Sequence, residues 1–204
     1  MGKVKHLPGV EALFSKSPVV RFDSIQKIVS GRKNKKQYAK RLIKNLIAKG
    51  KIKKLAKGWY TAKDDTLLSV FCFQPAYFGL QDALSFHGLT EQETIPVIVT
   101  TQRVKQGIRQ IMGSNVLVRR IKKDYFFGFE SNEQSGMYLP YSDIEKTVID
   151  MAYFKESLSP EAFRDVLRIC NLKKIEAYLK KYPEKMQKII KGRMRNWEPL
   201  FRSA

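Results

Sequence analysis

Between Arg32 and Lys57 the chain carries twelve lysines and arginines and no aspartate or glutamate. Such a run suits one kind of chemistry above others, the neutralisation of phosphates by ammonium and guanidinium groups. Lys33, Lys35, Lys36, Lys40, Lys44, Lys51, Lys53, Lys54 and Lys57 are the candidate phosphate contacts, which supply affinity without reading sequence. Asn34, Gln37 and Arg41 stand among them. Amides match adenine edges and a guanidinium matches guanine, so these three are the candidate base readers. Tyr38 suits either a sugar-phosphate contact or a half-buried packing position.

Other chemistries find little material. There is no phosphate-cradling glycine loop, no nucleophile elbow and no histidine pair at metal-ligand spacing. His87, in Ser85-Phe86-His87-Gly88-Leu89, lacks an evident Cys, Asp or Glu partner by spacing and reads as a hydrogen-bonded structural histidine. Glu145 and Asp150 are five residues apart on an expected helix and so fall on different faces. Glu145 is expected to pair with Lys146 or Lys122. Cys72 and Cys170 are isolated and read as reduced, small apolar residues. The expectation is a binding protein with no cofactor and no metal, not an enzyme.

The charge is unevenly placed. Residues 1–63 hold 18 Lys/Arg against Glu11 and Asp23, a net +16, and the remaining 141 residues hold only +4. A sequence pI near 10.0 built from one third of the chain points to a polyanion partner. The bland alternative, a solvated lysine-rich surface, does not account for that concentration. With 43% hydrophobic residues the chain has enough apolar material for real cores. No apolar stretch approaches the roughly 20 residues of a membrane span. No signal-peptide pattern follows the basic start. The expected place is the cytoplasm, away from membranes.

The basic residues need a frame. Val10 to Ser15 reads as a short helix and Pro18 to Phe22 as extended. A second helix runs through Ile25, Ile28 and Val29 to near Gly31, capped by Asp23 or Ser24. A third starts near Lys33 or Asn34 and ends at Gly50. Its stripe of Ala39, Leu42, Ile43, Leu46 and Ile47 follows helical spacing. Lys36, Gln37, Lys40, Arg41 and Lys44 fall opposite that stripe. Lys51 to Leu55 and Trp59 to Thr61 then flank Ala56-Lys57-Gly58 as a hairpin, with Trp59 and Tyr60 expected in the core. Helices closed by a hairpin are the order of a winged helix-turn-helix over 1–63, the third helix entering the major groove.

From 64 to 204 the composition is mixed, and a mixed α/β domain with a helical C-terminal part is expected, making the whole chain α+β. Helices are predicted at Thr66 to Phe73 and Leu80 to His87. Strands are predicted at Ile95 to Thr100, Val116 to Val118, Tyr125 to Phe129 and Met137 to Leu139. Helical periodicity runs from Ser142 onward, with Phe163, Val166, Leu167 and Cys170 on one inward face. The basic residues Lys173, Lys174, Lys180, Lys181, Lys185, Lys188, Lys191, Arg193 and Arg195 there fit a solvated face, a further DNA contact or an acidic partner.

Several stretches together resemble the AbiEi-type antitoxin family, the transcription-regulator half of type IV toxin–antitoxin systems. They are Leu46 to Ile52 with Lys57 to Thr61, Asp82 to Thr90, Ile95 to Thr101, Phe127 to Phe129 and Ile144 to Asp150. The resemblance spans about Val10 to Phe154. It implies a winged-helix repressor that binds double-stranded DNA at inverted repeats in its own promoter. It also implies a C-terminal domain that counteracts a nucleotidyltransferase-like toxin. The competing expectation is a non-specific DNA- or RNA-binding protein with no antitoxin role.

Overall fold

A computed structural model describes residues 6–29, 34–90, 94–134 and 136–197. The chain is an α+β protein that divides into two compact units. One comprises residues 1–72 with 110–114, the other 73–109 with 115–204.

The first unit contains α1 (Leu7–Lys16), β1 (Val20–Arg21), α2 (Phe22–Ile28), α3 (Lys35–Ala48), β2 (Lys53–Ala56) and β3 (Trp59–Thr61). The three strands form an antiparallel sheet in the order β1-β3-β2. Val10, Val20, Ile25, Val29, Ala39, Leu42, Ile43, Leu46 and Ile52 make one core. α3 ends because Gly50 takes a φ of +67°, which a residue without Cβ adopts readily. There the Gly50 N–H donates to Ile47 O at 2.9 Å and the Lys51 N–H to Leu46 O at 3.0 Å. That pair of bonds closes the helix and turns the chain straight into β2.

The sequence is corrected here in four places. α2 begins directly after Arg21, and neither Asp23 nor Ser24 caps it; Asp23 sits inside its first turn instead. Ile47, placed on the buried stripe, is 40% exposed because it lies at the edge of that stripe. Trp59, expected in the core, is half-buried beneath the Arg21 guanidinium instead, whereas half-buried Tyr60 does pack against the core. The hairpin turn itself is tighter than expected. Lys54 faces Tyr60 and Ala56 faces Trp59, so Leu55 bulges inward and only Lys57 and Gly58 make the bend.

The second unit is built on a six-stranded sheet, ordered β6-β7-β5-β4-β9-β8. Its strands are β4 (Ala76–Phe78), β5 (Val97–Thr100), β6 (Gly107–Ile111), β7 (Ser114–Arg120), β8 (Phe129–Gln134) and β9 (Met137–Ser142). β5 runs antiparallel to β4 and parallel to β7, β4 runs parallel to β9, and β8 and β9 form a hairpin. α4 (Leu80–Phe86) and α5 (Ile144–Phe154) follow the two strands that flank each other at the centre. α6 (Pro160–Ile169), α7 (Leu172–Leu179) and α8 (Glu184–Arg195) complete the unit. Tyr77, Val99, Ile149, Phe163, Leu179 and Ile190 belong to one continuous core.

Several further expectations are corrected. Residues 66–73 form a 3-10 helix, not an α-helix. Tyr125 to Phe129 is not a strand: Lys123–Tyr125 is a 3-10 turn and β8 starts only at Phe129. Those aromatic residues are needed inside, where Tyr77 stacks on Phe129 at 5.1 Å and Tyr125 on Tyr182 at 4.3 Å. Leu167, placed on the inward face of α6, is 40% exposed.

Candidate nucleic-acid interface

α3 owes its two faces to spacing. Ala39, Leu42, Ile43 and Leu46 are buried, and the same helix turns Lys35, Lys36, Gln37, Lys40, Arg41 and Lys44 outward, all exposed. Asn34 stands at the N-cap, exposed, with no side-chain hydrogen bond to the helix, so its amide is not spent on capping. Lys33 lies outside the described residues. Tyr38 is half-buried, packed against the core and edge-on to His6 at 5.7 Å.

On the hairpin the four lysines fall into two pairs. Lys51 Nζ sits 2.6 Å from Glu11 Oε1, and Lys53 Nζ sits 2.6 Å from Asp64 Oδ1. Lys54 and Lys57 are exposed and have no carboxylate within ion-pair distance among the described residues. The same holds for Lys35, Lys36, Lys40, Arg41 and Lys44 on α3. Arg21, beside the hairpin on β1, lies over the Trp59 ring at 5.2 Å and reaches Asp23 at 3.4 Å. Sequence reasoning passed over Arg21, whose signal is its register opposite Trp59. The chemistry of this surface is that of uncompensated cations in water, with two amides and one guanidinium able to make directed bonds.

The second unit places its titratable groups differently. His87 follows α4, and its Nε2–H donates to the Ser142 carbonyl at 2.8 Å. Glu145 pairs with neither Lys146 nor Lys122. It accepts the Asn171 N–H at 2.8 Å and meets Lys174 at 2.9 Å. Burial would raise its carboxyl, but the Asn171 N–H and Lys174 outweigh that and hold it below the usual range. Asp143 caps α5 by accepting the Lys146 N–H at 2.7 Å, and its other oxygen accepts from Tyr178 Oη at 2.7 Å. Burial and that bond push the Tyr178 phenol up to about 12.

Lys146 turns the opposite way, into the core. Its ammonium pairs with Asp150 Oδ1 and donates to Tyr182 Oη at 3.2 Å, and neither side chain of the pair is exposed. Asp150 Oδ2 accepts from Tyr77 Oη at 2.6 Å. Burial lowers the lysine and raises the aspartate, each against the pull of its partner. An enclosed set of this kind joins β4, α5 and the segment after α7, and does not reach the surface. A cleft of about 410 Å³ opens elsewhere in this unit, lined among others by Gln81, Leu89, Thr94, Met151 and Glu161. No group of three or more metal-ligating side chains occurs among the described residues. No described helix is long and apolar enough to cross a membrane.

No protein-family model matches the chain, and no curated protein matches it. Among solved structures it is similar to the crystal structure of RV2827C protein from Mycobacterium tuberculosis. The two share 14% identity, with a TM-score of 0.57 over 93% of this chain and 75% of that one. At this identity the likeness speaks to the fold alone.

Proposed function

We propose that the protein is a sequence-specific DNA-binding repressor and acts by binding, not by catalysis. Its first unit serves as a winged helix-turn-helix. The observation that carries this reading is the pairing of two surfaces. α3 exposes Lys35, Lys36, Lys40, Arg41 and Lys44 with no acidic partner among the described residues, and the hairpin that follows it exposes Lys54 and Lys57. The element order, three helices and a three-stranded antiparallel sheet ending in a hairpin, supports the same assignment. In this reading α3 lies in the major groove. Gln37, Arg41 and Asn34 meet base edges, and the lysines hold phosphates. A unit this small covers a short half-site, so two copies on an inverted repeat are expected.

The resemblance to AbiEi-type antitoxins extends the proposal. In that reading the protein represses its own operon and offsets a nucleotidyltransferase-like toxin encoded beside it. Two experiments separate the parts. A gel shift on the DNA upstream of the gene, in excess random duplex, should leave a discrete complex. Co-expression with the neighbouring nucleotidyltransferase-like protein, if one is encoded, should restore growth.

The second reading is non-specific binding of DNA or RNA. The observation in its favour is composition, since lysines outnumber base-reading groups on the exposed face of α3. Complete loss of the complex to random competitor would decide for it.

A further inference from the structure

Seven large hydrophobic side chains are exposed among the described residues, and three of them fall within six positions of chain. Leu167 is 40% exposed, Ile169 52% and Leu172 62%, all at the corner where α6 gives way to α7. Scattered exposed aliphatics are ordinary, but Ile169 and Leu172 bracket one tight helix junction, while Leu167, two positions before Ile169, falls on another side of α6. This corner is also held firmly. The Asn171 N–H between the two helices donates to buried Glu145, and Lys174 of the next turn is pinned by Asp143 at 3.1 Å and Glu145 at 2.9 Å. The aliphatics therefore stand on fixed backbone and not on a frayed end.

The charge that follows them is predominantly positive. Residues 172–195 carry nine lysines and arginines against Glu176 and Glu184. The arginines of α6 are already matched, Arg164 by Glu161 and Arg168 by Asp165. Lys173 on α7 and Lys180 at its C-cap, seven positions apart and so on one side, are exposed with no carboxylate partner among the described residues. Glu176 is the one acidic side chain on that outer face. A second copy of this chain packed through the same face would bring one net-positive face against another, which like charges oppose. Nucleic acid would satisfy the lysines and leave Ile169 and Leu172 uncovered. An acidic amphipathic helix satisfies both, laying leucines on the corner and carboxylates along α7.

We infer that the α6–α7 corner is a docking surface for an acidic amphipathic polypeptide. This is independent of DNA binding by the first unit. The probe is a labelled synthetic helix with leucine at i, i+3, i+4 and i+7 and glutamate elsewhere, titrated into the full chain by fluorescence anisotropy. Its controls are the same peptide with serine for leucine, and random duplex DNA. Binding of the leucine peptide should fall about tenfold or more in Ile169→Ser/Leu172→Ser and in Lys173→Glu/Lys180→Glu. It should persist in Lys36→Glu/Lys54→Glu, which alters only the first unit. All these side chains are exposed, and circular dichroism checks that each variant folds. Equal binding of the serine peptide, no binding of either peptide, or a loss confined to Lys36→Glu/Lys54→Glu would overturn the proposal. So would random duplex that weakens in Lys173→Glu/Lys180→Glu while the peptide ignores the serine variant, because the corner would then be a nucleic-acid contact.

Discussion

Tyr77 Oη donates a 2.6 Å hydrogen bond to Asp150 Oδ2, and neither residue has solvent exposure. The other oxygen of Asp150 takes the Lys146 ammonium, which also faces the Phe127 ring at 4.9 Å. A strand near the middle of the sheet is thus tied to α5 by a charge pair set among aromatic rings. Enclosed pairs are costly to break from one side, because the remaining charge stays buried without a partner.

Lys146→Met should accordingly destabilise the protein by about 3–5 kcal/mol. Adding Asp150→Leu and Tyr77→Phe should recover most of that loss, since the whole polar set is then replaced by apolar groups. Urea unfolding of the single and triple variants checks both statements. A triple variant no more stable than Lys146→Met would show that the pair does more than compensate its own burial.

Gly128 and Gly136 separate backbone strain from crowding. Both have positive φ, +69° and +72°. A Cβ at Gly128 would meet Lys146 Cβ and a Tyr178 ring carbon at 2.9 Å, while at Gly136 it would meet nothing within 4 Å. Gly136→Ala should cost about 1–2 kcal/mol for the left-handed backbone. Gly128→Ala should cost roughly 3 kcal/mol or more, because the same strain is joined by overpacking. Similar thermal midpoints for the two variants would contradict this.

Asp82 lies in the first turn of α4 and accepts the Val97 N–H at 3.1 Å, tying that helix to β5. Burial pushes its carboxyl up to about 7, against the lowering effect of that bond. The folded state therefore binds a proton that the unfolded chain releases near pH 4. Stability is fully favoured below pH 4 on this account and declines as pH rises from about 4 to 7. Asp82→Asn should flatten that decline and raise stability at pH 8, by on the order of 2 kcal/mol once partial exposure is allowed for. Unfolding free energies at pH 5 and pH 8 for both proteins provide the check.

Arg41→Ala should relax sequence preference at one base pair, costing about 1–3 kcal/mol on the specific site and less on random DNA. Lys54→Ala should weaken all duplexes nearly equally and lower the salt slope by about one. Competition gel shifts at two salt concentrations distinguish these outcomes. Equal losses on specific and random DNA from both changes would remove the division between reading and holding.

Lys51 and Lys53 provide a structural refinement of that test. Their ion pairs with Glu11 and Asp64 already occupy both ammonium groups. Lys51→Ala and Lys53→Ala should therefore reduce DNA affinity less than Lys54→Ala or Lys57→Ala. The salt slope should follow the same order. The reverse order would mean that the two acids release their lysines on binding.

Local order made much of the frame readable in advance. The stripe of α3, its stop at Gly50, the hairpin at Lys57-Gly58 and the four C-terminal helices all follow from spacing and turn residues within a few positions. Three strands did not show, one of them β8, which lies beyond the strand expected at Tyr125 to Phe129. β4 is only Ala76–Phe78, too short to display alternation, and β6, Gly-Ile-Arg-Gln-Ile, leaves Ile108 65% exposed. β4 pairs with β5 and β9, both distant in the chain, whereas β6 pairs with β7 after a turn at Met112-Gly113.

The sequence by itself determined where the positive charge lies and which side of α3 carries it, because both depend on residue type and a 3.6-residue period. Only the tertiary structure decided which charges stay in use. Lys146 and Asp150 stand four apart on α5 like any surface pair, yet they face inward because Tyr77 and Tyr182 approach from other elements. Glu145 found Lys174, far along the chain, and not its neighbour Lys146. Lys51 and Lys53 found acids while Lys54 and Lys57 did not. Such choices depend on contacts between elements, and those contacts carry no periodic signature in the chain.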